Sequence, residues 1–250
     1  MPEVDRMAKK KSSKLKNAVW ILLSLTLLTG AVMGGLYLEN NTRIEVVKFE
    51  GNHYTDVESL EEVLESPVGM LADSVAYDSL FMDLQTLPYV EDATVSMGIR
   101  GTLTFKVTER EPFAMLVDGN RRVYVAEGGI KLPVIPGKVK DVPLVYGFSA
   151  QPLSDTLKSD SYRQVEDFLI AAQKNELGWI TISEVSWNES EGVVALTYEN
   201  GVKLLFGRDQ FDVKMKNWEA FYTDVISKKG IGSFTSIDLR FEDQIVTRNS

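Results

Sequence analysis

Residues 87–112 read LPYVEDATVSMGIRGTLTFKVTEREP, and their pattern decides how the first half of the chain folds. Apolar and polar residues alternate on both sides of the glycine-bounded loop SMGIRG. The apolar members are Ala93, Val95 and Met97 before the loop, and Leu103, Phe105 and Val107 after it. A period of two on both sides of a short loop is typical of a hairpin with one buried face. We therefore predict two antiparallel strands whose apolar side chains point towards helices.

One strand and two helices are predicted before this hairpin. The run IEVVKF at 44–49 has the composition of a strand. A helix follows, with Thr55 and Glu58 in the spacing of a capping box. A second amphipathic helix comes next and ends at Pro88. The predicted unit therefore runs strand-helix-helix-strand-strand over residues 44–112.

The pattern changes in the remainder of the chain, which we assign to a second, β-rich domain at 113–250. A helix is predicted at 161–177, with Gly178 as its stop. The runs ITISEVSW, GVVALTY and VKLLFG then predict an antiparallel meander. A further helix at 210–227 and a late strand at 234–241 complete the domain. The fold class predicted for the whole chain is α+β.

The N-terminal region has the charge pattern of a membrane anchor. Residues 1–17 carry six Lys and Arg, and residues 18–38 carry no charge. A helix needs roughly 20 apolar residues to cross a bilayer core, and Trp20 and Tyr37 lie near the two ends of this run. A cleaved signal peptide is the alternative, although its apolar core is usually shorter. We predict a cytoplasmic tail at 1–17, a transmembrane helix at 18–38, and a domain outside the cytoplasm.

The composition disfavours several classes of function. The chain carries 27 Lys and Arg against 36 Asp and Glu, and the part from Glu39 onward carries 21 against 34, which disfavours nucleic-acid binding there. The sequence has no cysteine, and His53 is its one histidine. Thiol catalysis is therefore excluded, and a catalytic triad could be built only around His53 in a predicted turn. We predict no catalytic residue, no cofactor and no metal, and a membrane-anchored hydrolase is disfavoured.

Two groups of residues allow both a structural and a functional interpretation. The Glu-Arg-Glu run at 109–111 is interpreted as a strand end with exposed charges rather than as a functional site. Trp179, Trp187 and Trp218 could form a platform for a sugar, but Trp218 has core spacing on its predicted helix and Trp187 ends a strand pattern. We interpret the tryptophans as core residues.

Several motifs, in this order, resemble the FtsQ/DivIB family of bacterial cell-division proteins. They are VVKFEGN at 46–52, LPYVEDATV at 87–95, TLTFKVTEREPFA at 102–114, FGRD at 206–209 and IDLRF at 237–241. The resemblance covers nearly the whole chain. It implies a transmembrane helix, a polypeptide-transport-associated (POTRA) domain of β-α-α-β-β order at 44–112, and a β-rich second domain.

The resemblance also implies a function. It suggests a non-enzymatic scaffold that links early and late division proteins and regulates septal peptidoglycan synthesis through protein contacts. Its partners would be FtsB- and FtsL-type bitopic proteins and other division proteins, at the cytoplasmic (inner) membrane and the division septum. The alternative is a membrane-anchored POTRA protein of polypeptide transport or envelope assembly.

The last predicted strand is the candidate partner-binding segment. A terminal strand can lie at a sheet edge, and residues 236–241 contain neither the Lys nor the Pro that often protects an edge. Ile237, Leu239 and Phe241 would share one side of this strand, with Arg240 on the other. The resemblance places partner contacts at Arg240 and Phe241. We predict Ile237, Leu239, Arg240 and Phe241 as partner-binding residues, through addition of a strand from the partner.

Overall fold

The computed structural model describes residues 20–33, 42–242 and 244–250 of the chain. Residues 20–33 form a helix, α1, inside the predicted transmembrane segment. The other residues of that segment, and the predicted tail at 1–17, lie outside the described ranges. Within those ranges, no helix combines the length and the apolar character needed to cross a membrane.

The described chain is a mixed α+β structure with a large sheet. Its strands are β1 (Val46–Glu50), β2 (Val90–Met97), β3 (Thr102–Glu109), β4 (Ala114–Asp118), β5 (Arg121–Ala126), β6 (Ile130–Leu132), β7 (Leu144–Tyr146), β8 (Ile182–Asn188), β9 (Gly192–Thr197), β10 (Lys203–Gly207), β11 (Phe234–Asp238) and β12 (Val246–Asn249). After α1, its α-helices are α2 (Val57–Val63), α3 (Tyr77–Leu84), α4 (Asp160–Gln173), α5 (Glu176–Thr181), α6 (Phe211–Phe221) and α7 (Ser227–Lys229). A π-helical turn at Tyr222–Ile226 joins α6 to α7, and short 3-10 turns lie at Ala72–Ser74, Ile99–Gly101, Glu127–Gly129 and Ile231–Ser233.

The chain divides into two compact units that interleave in sequence. The first takes the described residues up to Asn52, together with Asp56–Thr86 and Asp92–Val107. The second takes His53–Thr55, Leu87–Glu91 and Thr108–Ser250. Two short segments that lie among the elements of the first unit therefore pack in the second. The domain ranges 44–112 and 113–250 stay predictions of the sequence.

The first unit has the predicted order of strand, two helices and two strands. Its sheet has the order β1-β3-β2, and β1 runs parallel to β3 with Phe49 opposite Phe105. Leu103, Phe105 and Val107 are all buried, whereas the residues between them are not, which confirms the predicted facing of β3. The Phe105 ring lies 5.7 Å from that of Phe49 and 6.3 Å from that of Phe81 on α3. This aromatic cluster joins the helix to the sheet.

The helix boundaries of this unit differ from the sequence prediction. The predicted capping box at Thr55 and Glu58 is wrong: Asp56 is the N-cap of α2, and its carboxylate accepts from the Ser59 amide at 2.7 Å. A carboxylate at the N-cap accepts from a backbone amide of the first turn as the hydroxyl of Thr55 was expected to do. Helix α3 ends at Leu84, so a short turn separates it from Pro88.

The second unit is a nine-stranded sheet with helices packed on one face. The strand order is β12-β11-β10-β9-β8-β7-β4-β5-β6. The predicted meander is confirmed, because β8, β9 and β10 pair antiparallel in sequence order. Its core joins sheet residues such as Val185 and Leu204 to Phe168 of α4 and Trp218 of α6, all of which are buried. The opposite face is covered in part, since Tyr124, Ala126 and Leu132 are buried in a separate cluster.

The two long predicted helices are each divided into shorter pieces. The helix predicted at 161–177 ends at Gln173, and a second helix starts after Asn175, whose side chain accepts from the Gly178 amide at 2.7 Å. Gly178 is therefore buried inside α5 rather than acting as a helix stop. The break allows α5 to lead directly into β8. The helix predicted at 210–227 is helical from Phe211 onward, although its form changes: α6 passes into the π-helical turn at Tyr222–Ile226, and α7 follows from Ser227.

Candidate partner-binding surface

The predicted edge strand is an inner strand of the sheet. Strand β11 ends at Asp238 and pairs with β10 on one side, in parallel, and with β12 on the other, antiparallel. The expectation that residues 236–241 form an open edge is therefore wrong. The tail after Phe241 contains a strand of its own, and in the described part of the chain β12 is the last strand at this end of the sheet.

The four predicted partner-binding residues fall into two groups. Ile237 and Leu239 are buried, and both belong to the core between sheet and helices. The backbone N–H of Leu239 donates to the Leu205 carbonyl at 2.9 Å, which extends the pairing with β10. Arg240 is half-buried, and Phe241 is 45% exposed. A partner that approaches the surface can therefore touch Arg240 and Phe241, whereas Ile237 and Leu239 hold the strand in place.

Arg240 forms a two-point ion pair with Asp238. Its Nε donates to Asp238 Oδ1 at 2.8 Å, and its Nη2 donates to Oδ2 at 2.6 Å. Burial of Asp238 opposes its ionisation, but the hydrogen bonds and positive charge of Arg240 outweigh burial and hold the pKa of Asp238 below its usual value. The same hydrogen bonds raise the pKa of Arg240. The pair fixes the direction of the guanidinium, which keeps further N–H groups for a partner.

Two glycines bring backbone segments close together beside this ion pair. Gly207, at the end of β10, has φ +80°, and a Cβ there would lie 3.2 Å from Arg240 Cγ. Gly192, at the start of β9, has φ +74°, and a Cβ there would lie 2.3 Å from the Gly207 carbonyl oxygen. Residues other than glycine rarely adopt this backbone conformation, and at Gly192 the backbone of Gly207 leaves no room for a Cβ. Gly192 therefore allows β9 and β10 to approach closely at Gly207, next to the Arg240 side chain.

A buried lysine stabilises the loop that follows β10. Lys214 on α6 is buried, and its Nζ donates to the backbone carbonyl of Asp209 at 2.8 Å and to its Oδ1 at 3.1 Å. The FGRD motif thus has a structural role at Asp209, which anchors the start of α6. Arg208, the neighbour of Asp209, instead lies over the Trp187 ring at 5.7 Å from its centroid.

The charged side chains of Glu109 and Arg110 form hydrogen bonds that the sequence did not predict. Glu109 accepts hydrogen bonds from three successive backbone N–H groups, those of His53, Tyr54 and Thr55, at 2.6, 2.6 and 2.7 Å. The interpretation of the 109–111 run as exposed charges at a strand end is wrong for this residue. Arg110 is also engaged, because it donates to the backbone carbonyls of Pro88 and Val90. These bonds belong to the second unit and attach two distant segments to it.

An aromatic cluster completes the attachment of these segments. The Tyr54 and Tyr89 rings stack with centroids 4.4 Å apart, and Tyr89 Oη donates to the Pro133 carbonyl at 2.6 Å. Burial raises the pKa of Tyr89, so the hydroxyl stays a neutral donor. Tyr124 is fully buried in the same cluster. The alternating pattern of β3 gives no sign of these contacts, because they join segments that are distant in the sequence.

The described residues show no arrangement suited to metal binding. No group of three or more His, Asp or Glu side chains in residues 20–33, 42–242 and 244–250 could hold a metal ion. His53 is exposed and packs its ring edge on Tyr54. Trp218 is fully buried and donates to Thr181 Oγ1 at 3.0 Å, while Trp179 and Trp187 are half-buried against the core. Because Trp218 is buried, the three tryptophans do not form a common platform at the surface.

Comparison with known proteins identifies relatives of the chain. A family model described as FtsQ/DivIB, C-terminal related, matches residues 111–248. The chain is 27% identical to the cell division protein FtsQ of Rhodothermus marinus, over 97% of this chain and 91% of that protein. It is 26% identical to the cell division protein FtsQ of Salinibacter ruber, over 93% of this chain and 94% of that protein.

A solved structure also aligns with part of the chain. It is the major extracytoplasmic domain of the bacterial cell division protein DivIB from Geobacillus stearothermophilus, in its trans isomer. The alignment has 17% identity and a TM-score of 0.32, and it covers 48% of this chain and 98% of that domain.

Proposed function

Because this chain belongs to the FtsQ/DivIB family, we propose that it is a cell-division protein that acts as a non-enzymatic scaffold. It recruits partners outside the cytoplasm and regulates septal peptidoglycan synthesis through protein contacts. The resemblance of its motifs suggests FtsB- and FtsL-type bitopic proteins as partners. The alternative of polypeptide transport has no comparable support from relatives, since those reported are cell division proteins by name.

The observation that carries this proposal is the free side of β12. This strand ends the nine-stranded sheet in the described part of the chain. A strand at the end of a sheet presents unpaired backbone N–H and C=O groups, on which an extended segment of another protein can add a strand. The binding edge is therefore β12, one strand beyond the segment 236–241 that the sequence suggested.

Exposed side chains next to β12 supply the contacts that give specificity. Val246 is 43% exposed and Phe241 is 45% exposed, so two apolar side chains are accessible near this edge. Arg240 lies beside them with its guanidinium held by Asp238. An extended partner segment with apolar residues and a carboxylate fits this combination, because the carboxylate can pair with Arg240 while the apolar residues cover Phe241 and Val246.

A capture experiment tests the proposal. The full chain in a mild non-ionic detergent is incubated with the extracytoplasmic part of the FtsB-type protein of the same organism, and the bound fraction is measured. Val246→Asp should weaken capture, because the partner would have to desolvate the new carboxylate on binding. We expect this to cost about 1–3 kcal/mol of binding free energy. Val213→Asp is the matched control, since Val213 on α6 is also exposed, at 53%.

Arg240→Glu tests the charged part of the same surface. It reverses the charge next to the edge, and we expect capture to fall about tenfold or more. The variant also breaks the pair with Asp238, so its thermal unfolding is measured in parallel. Normal capture by both Val246→Asp and Arg240→Glu, with both variants folded, contradicts the assignment of the β12 edge.

The proposed location is the cytoplasmic membrane, with residues 18–38 as a single membrane-spanning anchor. The support is the uncharged run and the basic residues that precede it. An alkaline phosphatase fusion at the C-terminus should be active and should sediment with membranes. A fluorescent fusion should collect at the division site. Soluble phosphatase activity from a shortened protein means that the segment is a cleaved signal peptide instead.

A further inference from the structure

A groove of about 470 Å³ opens at the ends of β7, β8 and β9, four strands from the proposed partner edge. Its walls include Asp141, Leu144, Trp179, Glu184 and Tyr198. Its volume lies within the range of sites that hold a side chain or a small ligand. The proposed scaffold function does not use this groove.

The base of the groove belongs to the face of the nine-stranded sheet that lies opposite its helices. Glu184 on β8 is paired in register with Leu144 on β7 and with Leu196 on β9. Its neighbour Val185 is buried against the helices, so Glu184 points to the opposite face. Glu184 is half-buried, as are both leucines. A carboxylate therefore stands between two partly covered leucine side chains.

One wall of the groove carries exposed apolar and aromatic side chains. The backbone N–H of Tyr198 donates to the Thr181 carbonyl at 2.8 Å, which ties the end of β9 to the end of α5. Tyr198 is 82% exposed, and Ile180 on α5 is 67% exposed. Trp179 is half-buried, with the covered part of its ring packed on the core. The backbone hydrogen bond of Tyr198 therefore fixes the segments that hold the exposed side chains of Tyr198 and Ile180 at the surface.

The charge of the groove is negative. Asp141 and Glu184 have no hydrogen-bond or ion-pair partner among residues 42–242 and 244–250, and no Lys or Arg lines the groove in that part of the chain. The nearby cation Lys140 is already paired with Glu111. Two unpaired carboxylates at partly apolar walls create a local negative potential that attracts a cation.

We infer that this groove binds an arginine or lysine side chain of a partner protein, presented next to an aliphatic residue. Such a side chain matches both features of the groove, because its methylene stem covers apolar surface while its charge reaches the carboxylates. Tyr198 and Trp179 add their ring faces, which attract cations, and guanidinium groups stack on such rings most readily. The structure thus assigns a second partner-binding site to the second unit, separate from the β12 edge.

The test uses two synthetic peptides and the full chain in a mild non-ionic detergent. The probe is acetyl-Leu-Arg-Leu-amide, and its control is acetyl-Leu-Gln-Leu-amide. Saturable binding is followed by chemical shifts of the protein. We expect saturable binding of the arginine peptide and at least tenfold weaker binding of the glutamine peptide. Glu184→Gln and Asp141→Asn should each weaken the arginine peptide about two- to fivefold.

The matched control is Glu199→Gln, which removes the same charge next to Tyr198 from a residue outside the groove lining. It should leave binding unchanged. Equal effects of Glu199→Gln and Glu184→Gln, equal binding of both peptides, or no saturable binding overturns the proposal. Binding of a neutral N-acetylglucosamine oligomer that resists both charge substitutions overturns it in favour of a glycan. The proposal is also overturned, in favour of a second copy of this chain as the occupant, if the unsubstituted protein self-associates and Tyr198→Ala abolishes that association.

Discussion

One carboxylate oxygen of Glu109 lies 2.6 Å from the backbone nitrogen of Tyr54, although the two residues are 55 positions apart in sequence. The same carboxylate binds the amides on both sides of Tyr54. Three N–H donors on one carboxylate form a strong, charge-assisted arrangement. Residues 53–55 are thus held within the second unit through their backbone, so the identity of their side chains matters little for this contact.

Glu109→Gln should destabilise the second unit by about 1.5–3 kcal/mol, because the substituted amide loses the charge and turns one N–H donor towards donors of the backbone. Unfolding in urea measures the change. Glu111→Gln is the control, since the Glu111 side chain is 79% exposed in its pair with Lys140. That variant should lose about 1 kcal/mol or less. A loss of equal size in both variants contradicts the role of Glu109.

Phe105→Ala should cost about 3–5 kcal/mol of unfolding free energy, because it leaves a cavity beneath Phe49 and Phe81. Phe105 is fully buried between these rings. Thr104→Ala, on the other side of β3, should cost about 1 kcal/mol or less. Chemical denaturation of the two variants compares them directly. Similar losses at both positions mean that the facing of β3 is misassigned.

Gly192→Ala should be much more destabilising than Gly201→Ala. Both glycines have positive φ, +74° and +59°, so both variants lose about 1–2 kcal/mol to backbone strain. At Gly192 the new Cβ also meets the Gly207 carbonyl oxygen at 2.3 Å, whereas at Gly201 no atom lies within 4 Å. The clash adds about 1–3 kcal/mol to the first variant. Equal thermal shifts of the two variants contradict the close contact of β9 and β10.

The Asp238–Arg240 pair should make the free energy of unfolding depend on pH in the acidic range. The pKa of Asp238 is lower in the folded chain than in the unfolded chain, where an aspartate titrates near about 3.9. The pair therefore contributes fully at pH values above about 4, and its contribution is lost as the pH falls through the folded pKa. Unfolding free energies of the native chain and of Asp238→Asn, measured from neutral to acidic pH, should converge below about pH 4. A constant difference contradicts the shift.

Local patterns in the sequence predicted the elements whose partners lie nearby. The alternation around Phe105 identified the hairpin and its buried face, because side-chain facing in a strand follows a period of two. The meander of β8, β9 and β10 was predicted for the same reason. Its turn, Asn200-Gly201, has both residues in the left-handed region, as hairpin turns require.

Local sequence patterns did not predict the contacts between distant segments. Strand β12 reads VTRN, which has no apolar alternation, and it is a strand because the backbone of β11 pairs with it. Without β12, the segment 236–241 had the features of an edge, so the sequence prediction placed the sheet edge one strand too far inside. The bonds of Glu109 are likewise fixed by the tertiary fold, and no spacing in the sequence indicates them.

The interleaving of the two units affects local unfolding and the choice of boundaries for truncated fragments. Tyr54 and Tyr89 pack in one cluster with Tyr124. The helices α2 and α3, which lie between Tyr54 and Tyr89 in the sequence, belong instead to the first unit. Amide protons at residues 53–55 and 87–91 should therefore exchange with deuterium at the pace set by the second unit, and not at that of their sequence neighbours. A fragment that begins at residue 113 leaves the buried face of Tyr124 bare, and self-association of such a fragment is the expected result.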